Sequence, residues 1–165
     1  MSGPPRRLAC RLVVLDPAGR VLLLGCTDPG NRATAWWELP GGGVEPEEHP
    51  AAAGVREVRE ETGVTVPPGT VGPLQWTQDV DYSWLARRHR SRQQVRLARL
   101  VGPPALGEHA REPAEADTVQ TVRWWSVDEL VQSRERFFPR HLPAVLPRLL
   151  AGERVDEPYD DWDLP

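Results

Sequence analysis

Lysine is missing from this chain: of its 165 residues, all 20 basic ones are arginine. With abundant alanine, glycine and proline, this resembles the coding bias of a GC-rich genome and excludes no function. Cysteine is scarce, and Cys10 and Cys26 do not form a metal-binding motif. The expectation for them is two reduced, packed thiols in a reducing compartment. Long apolar runs are absent as well. Val21 to Cys26 is far too short to span a bilayer, and Arg11 interrupts the apolar stretch near the N-terminus, where no small-residue cleavage site follows. The chain is therefore expected to be cytoplasmic, with no membrane partner. An excess of positive charge is also lacking. A net charge of -4 and a pI near 5.6 argue against a stable nucleic acid complex, although Arg87, Arg88, Arg90 and Arg92 cluster locally.

What is present suits one domain with a core of its own, expected over residues 1–152 and followed by a loose acidic tail, 153–165. Leu8 to Leu15 and Val21 to Gly25 read as paired strands, with Pro17 and Gly19 in a hairpin loop between them. If Asp16 faces Arg20, the same register sets Cys10 opposite Cys26. Asp28 to Ala35 reads as a loop. Val71 to Trp84 and Gln94 to Val101 read as strands, and the arginine-rich stretch between them as a hairpin tip. Gly102 to Ala116 has the composition of a long loop, and Thr118 to Trp125 that of a strand. Ser126 to Glu129 is a capping box, and Leu142 to Leu150 is apolar enough for a closing helix despite Pro143 and Pro147. Strands that bracket a helix and end in helices imply an α/β fold, a mixed β-sheet with helices on both faces.

The most specific stretch runs from residue 42 to 64, GGVEPEEHPAAAGVREVREETGV. Pro50 in the first turn and Gly63 just past the end delimit a helix. At about 100° per residue, Glu57, Glu60 and Glu61 fall within one arc of about 100°. Ala51, Val55, Val58 and Thr62 lie on the other side and are expected to anchor the helix to the sheet. Carboxylates that close repel one another, so at least one pKa should rise until a divalent cation neutralises the group. Oxygen ligands alone suit Mg2+, with Mn2+ also possible, better than zinc. Gly41, Gly42 and Gly43 allow the backbone to turn tightly and approach a ligand. Arg56 can hold a carboxylate in place by a bidentate pair, with Glu48 as the other half of the buttress.

Gly42, Glu48, Arg56, Glu57, Val58, Glu60, Glu61, Gly63 and Val64 satisfy every fixed position of the pattern G-x5-E-x7-R-E-(apolar)-x-E-E-x-G-(apolar). This is the Nudix box, and the chain resembles the Nudix hydrolases from about Arg7 to about Leu150. The resemblance implies an α/β/α sandwich with the box helix packed on its sheet. It also implies a Mg2+-dependent pyrophosphohydrolase acting on a small-molecule nucleoside diphosphate linked to another moiety, as a monomer or homodimer. By resemblance, Glu60 and Glu61 are metal ligands, Glu57 is a ligand or the general base, and the Gly41 carbonyl is a further ligand. The loop acid that many relatives add is Asp117, with Glu115 and Glu112 as alternatives. The other readings are a non-catalytic nucleotide sensor, disfavoured by the intact acids, and a diphosphate isomerase, disfavoured by where the cysteines fall.

Trp36 either stacks a nucleobase or fills a core edge. Arg96, a cation within a strand, either faces the pocket or sits on an exposed strand face. Both are candidate substrate-binding residues. No D-x-D-x-D-G calcium loop occurs, His49 most simply caps the box helix, and His89, His109 and His141 share no ligand spacing.

Overall fold

The computed structural model describes residues 5–102 and 110–164. The hairpin at the start forms as its turn chemistry directs. β1 (Arg7–Leu15) and β2 (Val21–Asp28) meet at Leu15 and Val21, with the Asp16 amide donating to the Arg20 carbonyl at 3.0 Å. The two strands then part. β1 continues beside β4 (Gly41–Gly43), which sets Cys10 opposite Gly42, whereas Cys26 faces Trp36 of β3 (Asn31–Glu38) and Val119 of β7 (Val119–Trp125). The expected pairing of Cys10 with Cys26 is therefore wrong. The hairpin register holds at the turn, but the all-glycine strand takes the edge of β1 that β2 would have filled. Both thiols are free and buried, and burial pushes that of Cys10 up to about 11.

The long hairpin β5 (Val71–Trp84) and β6 (Arg87–Arg99) turns at Leu85 and Ala86, whose φ values of 52° and 58° are left-handed. The arginine group expected at the tip thus lies within β6. Its side chains are held by acids across the ladder, Arg90 by Asp81 at 3.4 Å and Arg92 by Asp79 at 3.5 Å. β3, read as a loop over Asn31 to Ala35, is exposed or half-exposed throughout that part, so apolar alternation could not reveal it.

β6 runs parallel to β1, and ten strands among the described residues form one sheet along the path β10 (Asp160–Asp161), β5, β6, β1, β2, β3 and β8 (Phe137–Phe138). Off this path, β4 pairs with β1, β7 with β2, and β9 (Val155–Asp156) with β5. Because β1 alternates, it feeds two cores. Cys10, Leu12 and Val14 pack under α1 (Pro50–Thr62), while Val13 and Leu15 meet Leu130 of α3 (Val127–Gln132) and the apolar face of α4 (Leu142–Leu150). The result is the expected layered sandwich of a mixed sheet between helices. The acidic tail, expected to be loose, contributes β9 and β10 and buries Trp162. No helix among the described residues is long and apolar enough to cross a membrane.

Candidate active site

The box helix is delimited as its sequence implies. The His49 side chain accepts from the Ala51 amide, and Gly63 closes the helix in the left-handed region at φ 74°. Its inward face differs from expectation. Ala53, Gly54, Glu57, Val58, Glu61 and Thr62 are buried, whereas Ala51 and Val55 are half-exposed and line a depression on the outer side of the helix. Gly54 is the reason. A Cβ there would lie 2.9 Å from Leu12 and 3.2 Å from the Cys10 sulfur, so the helix packs against the sheet at Gly54 more tightly than a side chain there would allow. Glu61, two turns later on the same side, is thereby turned inward rather than toward solvent.

Glu57, Glu61 and Glu115 each offer an oxygen such that all three atoms lie within 4.8 Å of one another. Each carboxylate is oriented through one oxygen. Glu57 Oε1 accepts from Arg56 at 2.9 Å, Glu61 Oε2 from the Gly41 amide at 2.9 Å, and Glu115 Oε2 from the Glu112 amide at 3.0 Å. The second oxygen of each has no hydrogen-bond donor among the described residues. Oriented carboxylates with free oxygens form a hard-cation donor set, and the residues present fit a divalent metal.

The loop expected from Gly102 to Ala116 ends in a short helix, α2 (Pro113–Thr118), and this turn selects among the three candidate acids. Glu115 faces the box helix. Asp117, two residues on and so about 200° around the helix, points away and pairs with Arg32 at 2.8 Å. Asp117 is thus corrected to Glu115 as the converging loop acid, and Glu112 stands at the N-cap of α2. Glu60 lines the same cleft but falls outside the triple, bonded to Arg56 at 3.3 Å.

Arg56 and Glu48 form the buttress. Nε and Nη2 of Arg56 reach the two oxygens of Glu48 at 2.9 and 3.0 Å, Nη2 also reaches the Gly43 carbonyl at 3.0 Å, and Nη1 takes Glu57. One guanidinium therefore ties the glycine strand, the loop and the helix together. The pairing with Arg56 lowers the Glu48 pKa. Arg56→Lys keeps the charge but loses the fork, and we expect the metal concentration for half-maximal activity to rise, or turnover to fall, by about 10- to 100-fold. A metal titration of activity reads this, and an unchanged curve would remove the buttress role.

Burial raises the pKa of Glu57, and raises that of Glu61 well above the ordinary value of 4.5, with Glu38 adding repulsion at Glu61. Without metal, the folded chain therefore retains protons that the unfolded chain has released. Stability should fall as pH rises from about 4.5 through the raised folded-state pKa values, and the whole loss is present above them. The lowered pKa of Glu48 acts with the opposite sign, but only below that window. Melting temperatures from about pH 5 to about pH 8 should decline, with Mg2+ reversing the decline. A profile that is flat without metal and unmoved by Mg2+ would count against a charge-starved site.

The cleft encloses about 410 Å³ and contains residues that the pattern gave no reason to choose. Arg11, although buried, donates to Gln93 at 2.8 Å and to the Leu39 carbonyl at 2.6 Å, and lies 3.6 Å from Glu38. Glu38 also accepts from Trp36 Nε1 at 2.7 Å. Trp36 lines the cleft, as do Tyr82, Trp84, Phe138 and Trp162. Arg96 does not. Paired with Leu12, it falls on the face of the sheet that α1 covers, beside Cys10, and donates to the Gly72 carbonyl at 3.3 Å. Its expected place in the pocket is corrected, since residue parity along β6 sends it to the other face.

Among curated proteins, the chain is similar to human diphosphoinositol polyphosphate phosphohydrolase 3-beta, at 38% identity over 91 residues, which cover 54% of this chain and 49% of that protein. The chain spans about half the length of the curated relatives it matches. Among solved structures, a mutator MutT protein from Bacillus halodurans aligns over 96% of this chain and 93% of that one, with a TM-score of 0.65 at 20% identity, a likeness of fold. A MutT NUDIX hydrolase from Burkholderia pseudomallei aligns over 79% and 90% with a TM-score of 0.55 at 26% identity. The family model described as the NUDIX domain matches residues 5–146, from the start of β1 into α4 and through every carboxylate of the cleft, and the chain belongs to that family.

Proposed function

We propose that this protein is a Mg2+-dependent pyrophosphohydrolase that cleaves a diphosphate bond in a nucleoside diphosphate linked to another moiety. The observation that carries this reading is the carboxylate triple, in which Glu57, Glu61 and Glu115 are each anchored by one oxygen and open at the other. A divalent ion held there would neutralise charge on the diphosphate and lower the pKa of an attacking water.

The protein's own groups then have separable tasks. The Gly41 amide and Arg56 fix where the charges of Glu61 and Glu57 sit. Glu57 Oε2, free of protein donors among the described residues, serves as a ligand atom or takes the proton of the water as it attacks phosphorus. Glu60, at the cleft wall, supplies further negative charge for metal binding. Arg11 is occupied by Gln93, Leu39 and Glu38, and shapes the cleft floor. Mn2+ would satisfy the same oxygen ligands. The aromatic wall suits a nucleoside better than it suits the inositol polyanion for which the human relative is named, because two of the cleft's arginines are already engaged by carboxylates, Arg11 beside Glu38 at 3.6 Å and Arg56 with Glu48 and Glu57 at 2.9 Å, which leaves Arg7 as the one cleft arginine without a carboxylate partner among the described residues.

The test is phosphate release, coupled to a phosphatase or pyrophosphatase, across nucleoside triphosphates, dinucleoside polyphosphates, nucleotide sugars and a diphosphoinositol polyphosphate, with and without Mg2+. Metal-dependent release from a nucleotide is the expected result. Silence across the panel with nucleotide binding retained would mean a sensor, and release from the inositol compound alone would overturn the substrate class.

A further inference from the structure

Glu57 and Glu61 stand on a long helix, whereas Glu115 stands on α2, which has six residues and is too short to hold together by its own hydrogen bonds. Its surroundings must hold it. On the approach to α2, the Ala110 amide donates to the Glu60 carbonyl and Arg111 Nε to the Glu61 carbonyl, both at 2.8 Å, taking up carbonyls that the last turn of α1 leaves without an internal partner. At its other end α2 runs directly into β7, whose first residue, Val119, pairs with Cys26. These ties fix where α2 lies and leave its rotation about its own axis to side chains. Two side-chain bonds bear on that rotation. Asp117 meets Arg32 at 2.8 Å, but the two side chains are 56% and 58% exposed, so the pair contributes little. The other bond is sheltered: Trp84, at the end of β5, donates its indole N–H to Thr118 Oγ1 at 3.0 Å, and Thr118 is buried.

We propose that Trp84 is a positioning residue for the third carboxylate, its bond to Thr118 holding α2 in the rotation that aims Glu115 at Glu57 and Glu61. This rests on the reading of those three acids as metal ligands. An indole nitrogen can only donate, and Thr118 passes its own hydroxyl proton to the Ala114 carbonyl at 2.9 Å, so the chain of bonds runs one way, from Trp84 through Thr118 into the backbone of α2. Thr118 lies three residues after Glu115, about 60° away around the helix. A bond that holds Thr118 toward the cleft therefore holds Glu115 toward it, and Trp84, Ala114, Glu115 and Thr118 all line that cleft. The bond from the Glu112 amide to Glu115 orients the carboxylate on α2 but does not orient α2 itself. A rotation of α2 that broke the Trp84 bond would swing Glu115 away from α1, with Trp84 acting only through Thr118.

The experiment measures Mn2+ binding to the full chain without substrate, by the loss of the free ion's paramagnetic resonance signal, so that affinity is read whether or not turnover occurs. Trp84→Phe keeps a ring and removes the donor, and should raise the Kd for Mn2+ by about 3- to 10-fold, the scale of one hydrogen bond. Thr118→Val should do the same, and Thr118→Ser, which keeps the hydroxyl, should not. In a Glu115→Gln chain, itself weaker for Mn2+, Trp84→Phe should add less than about 2-fold, because no carboxylate remains to be aimed. A merely structural side chain would add its full cost in both backgrounds. Should Trp84→Phe fail to fold, Thr118→Val and Thr118→Ser carry the same comparison. An unchanged Kd in folded Trp84→Phe, or an undiminished effect in the Glu115→Gln chain, would overturn the positioning role and leave the metal reading standing. No Mn2+ binding by the wild-type protein, or no weakening in Glu115→Gln, would overturn the metal reading of the triple and the positioning role with it.

Discussion

Glu61→Gln is expected to lower turnover by about two orders of magnitude or more, beyond the 10- to 100-fold typical of a group that only orients a metal ligand. The same change should raise the melting temperature of the metal-free protein. Both effects come from one fact: Glu61 is a buried carboxylate placed against Glu57 and Glu38, its pKa driven up by burial first and by their repulsion second. Glutamine keeps an oxygen that can accept from the Gly41 amide, so the local geometry has no reason to collapse. What it removes is a negative charge that costs stability in the empty site and is needed when metal is bound. Steady-state rates at saturating Mg2+, with thermal unfolding in chelator, read the two effects. Unchanged turnover would remove Glu61 from the metal assignment, and a lower melting temperature in chelator would show that packing, not charge, dominates at this position.

Gly41→Ala should cause the largest loss of stability, on the order of 4 kcal/mol or more, or failure to fold. Gly41 has φ of 144°, where a side chain is strained, and an added Cβ would lie 2.2 Å from the Cys10 carbonyl oxygen and 2.6 Å from the Arg11 Cα. Both obstacles are backbone of the neighbouring strand, so neither can rotate away. Gly42→Ala is a useful contrast. There the Cβ would meet the Glu57 carboxylate at 2.6 Å, the far end of a flexible side chain. Its expected cost is displaced chemistry more than lost fold, with activity falling well before stability. Gly102→Ala, where nothing among the described residues lies within 4 Å, is the control. Chemical denaturation of the three variants tests the order, and a Gly41→Ala protein as stable as the control would mean that β4 does not pack as described.

Glu48, Arg56 and Glu57 could be read together before any fold was known, because their relation is local: one helix, one preceding loop and a fork that reaches both. The loop acid could not. Glu112, Glu115 and Asp117 differ in composition by almost nothing, and only the turn of α2 aims Glu115 inward and Asp117 at Arg32. Trp36 was a candidate on side-chain chemistry, yet it is buried edge to face against Trp162, far away along the chain and in a segment whose acidity and prolines gave no sign of docking. Arg96 shows the converse. A cation within a strand is ambiguous until strand parity assigns it a face, and here the face is the one under α1.

The box helix, its caps, the spacing of its acids and the buttress follow from the order of residues alone, because these depend on groups within one or two turns of each other. Which face of that helix is buried, which loop acid completes the triple and how the tail returns to the cleft follow only from the folded chain. Those outcomes depend on Gly54 meeting Leu12, on α2 meeting α1 and on Arg88 meeting Asp161 and Asp163. Each is a contact between segments far apart in the chain, set by shape and charge that neither segment shows alone.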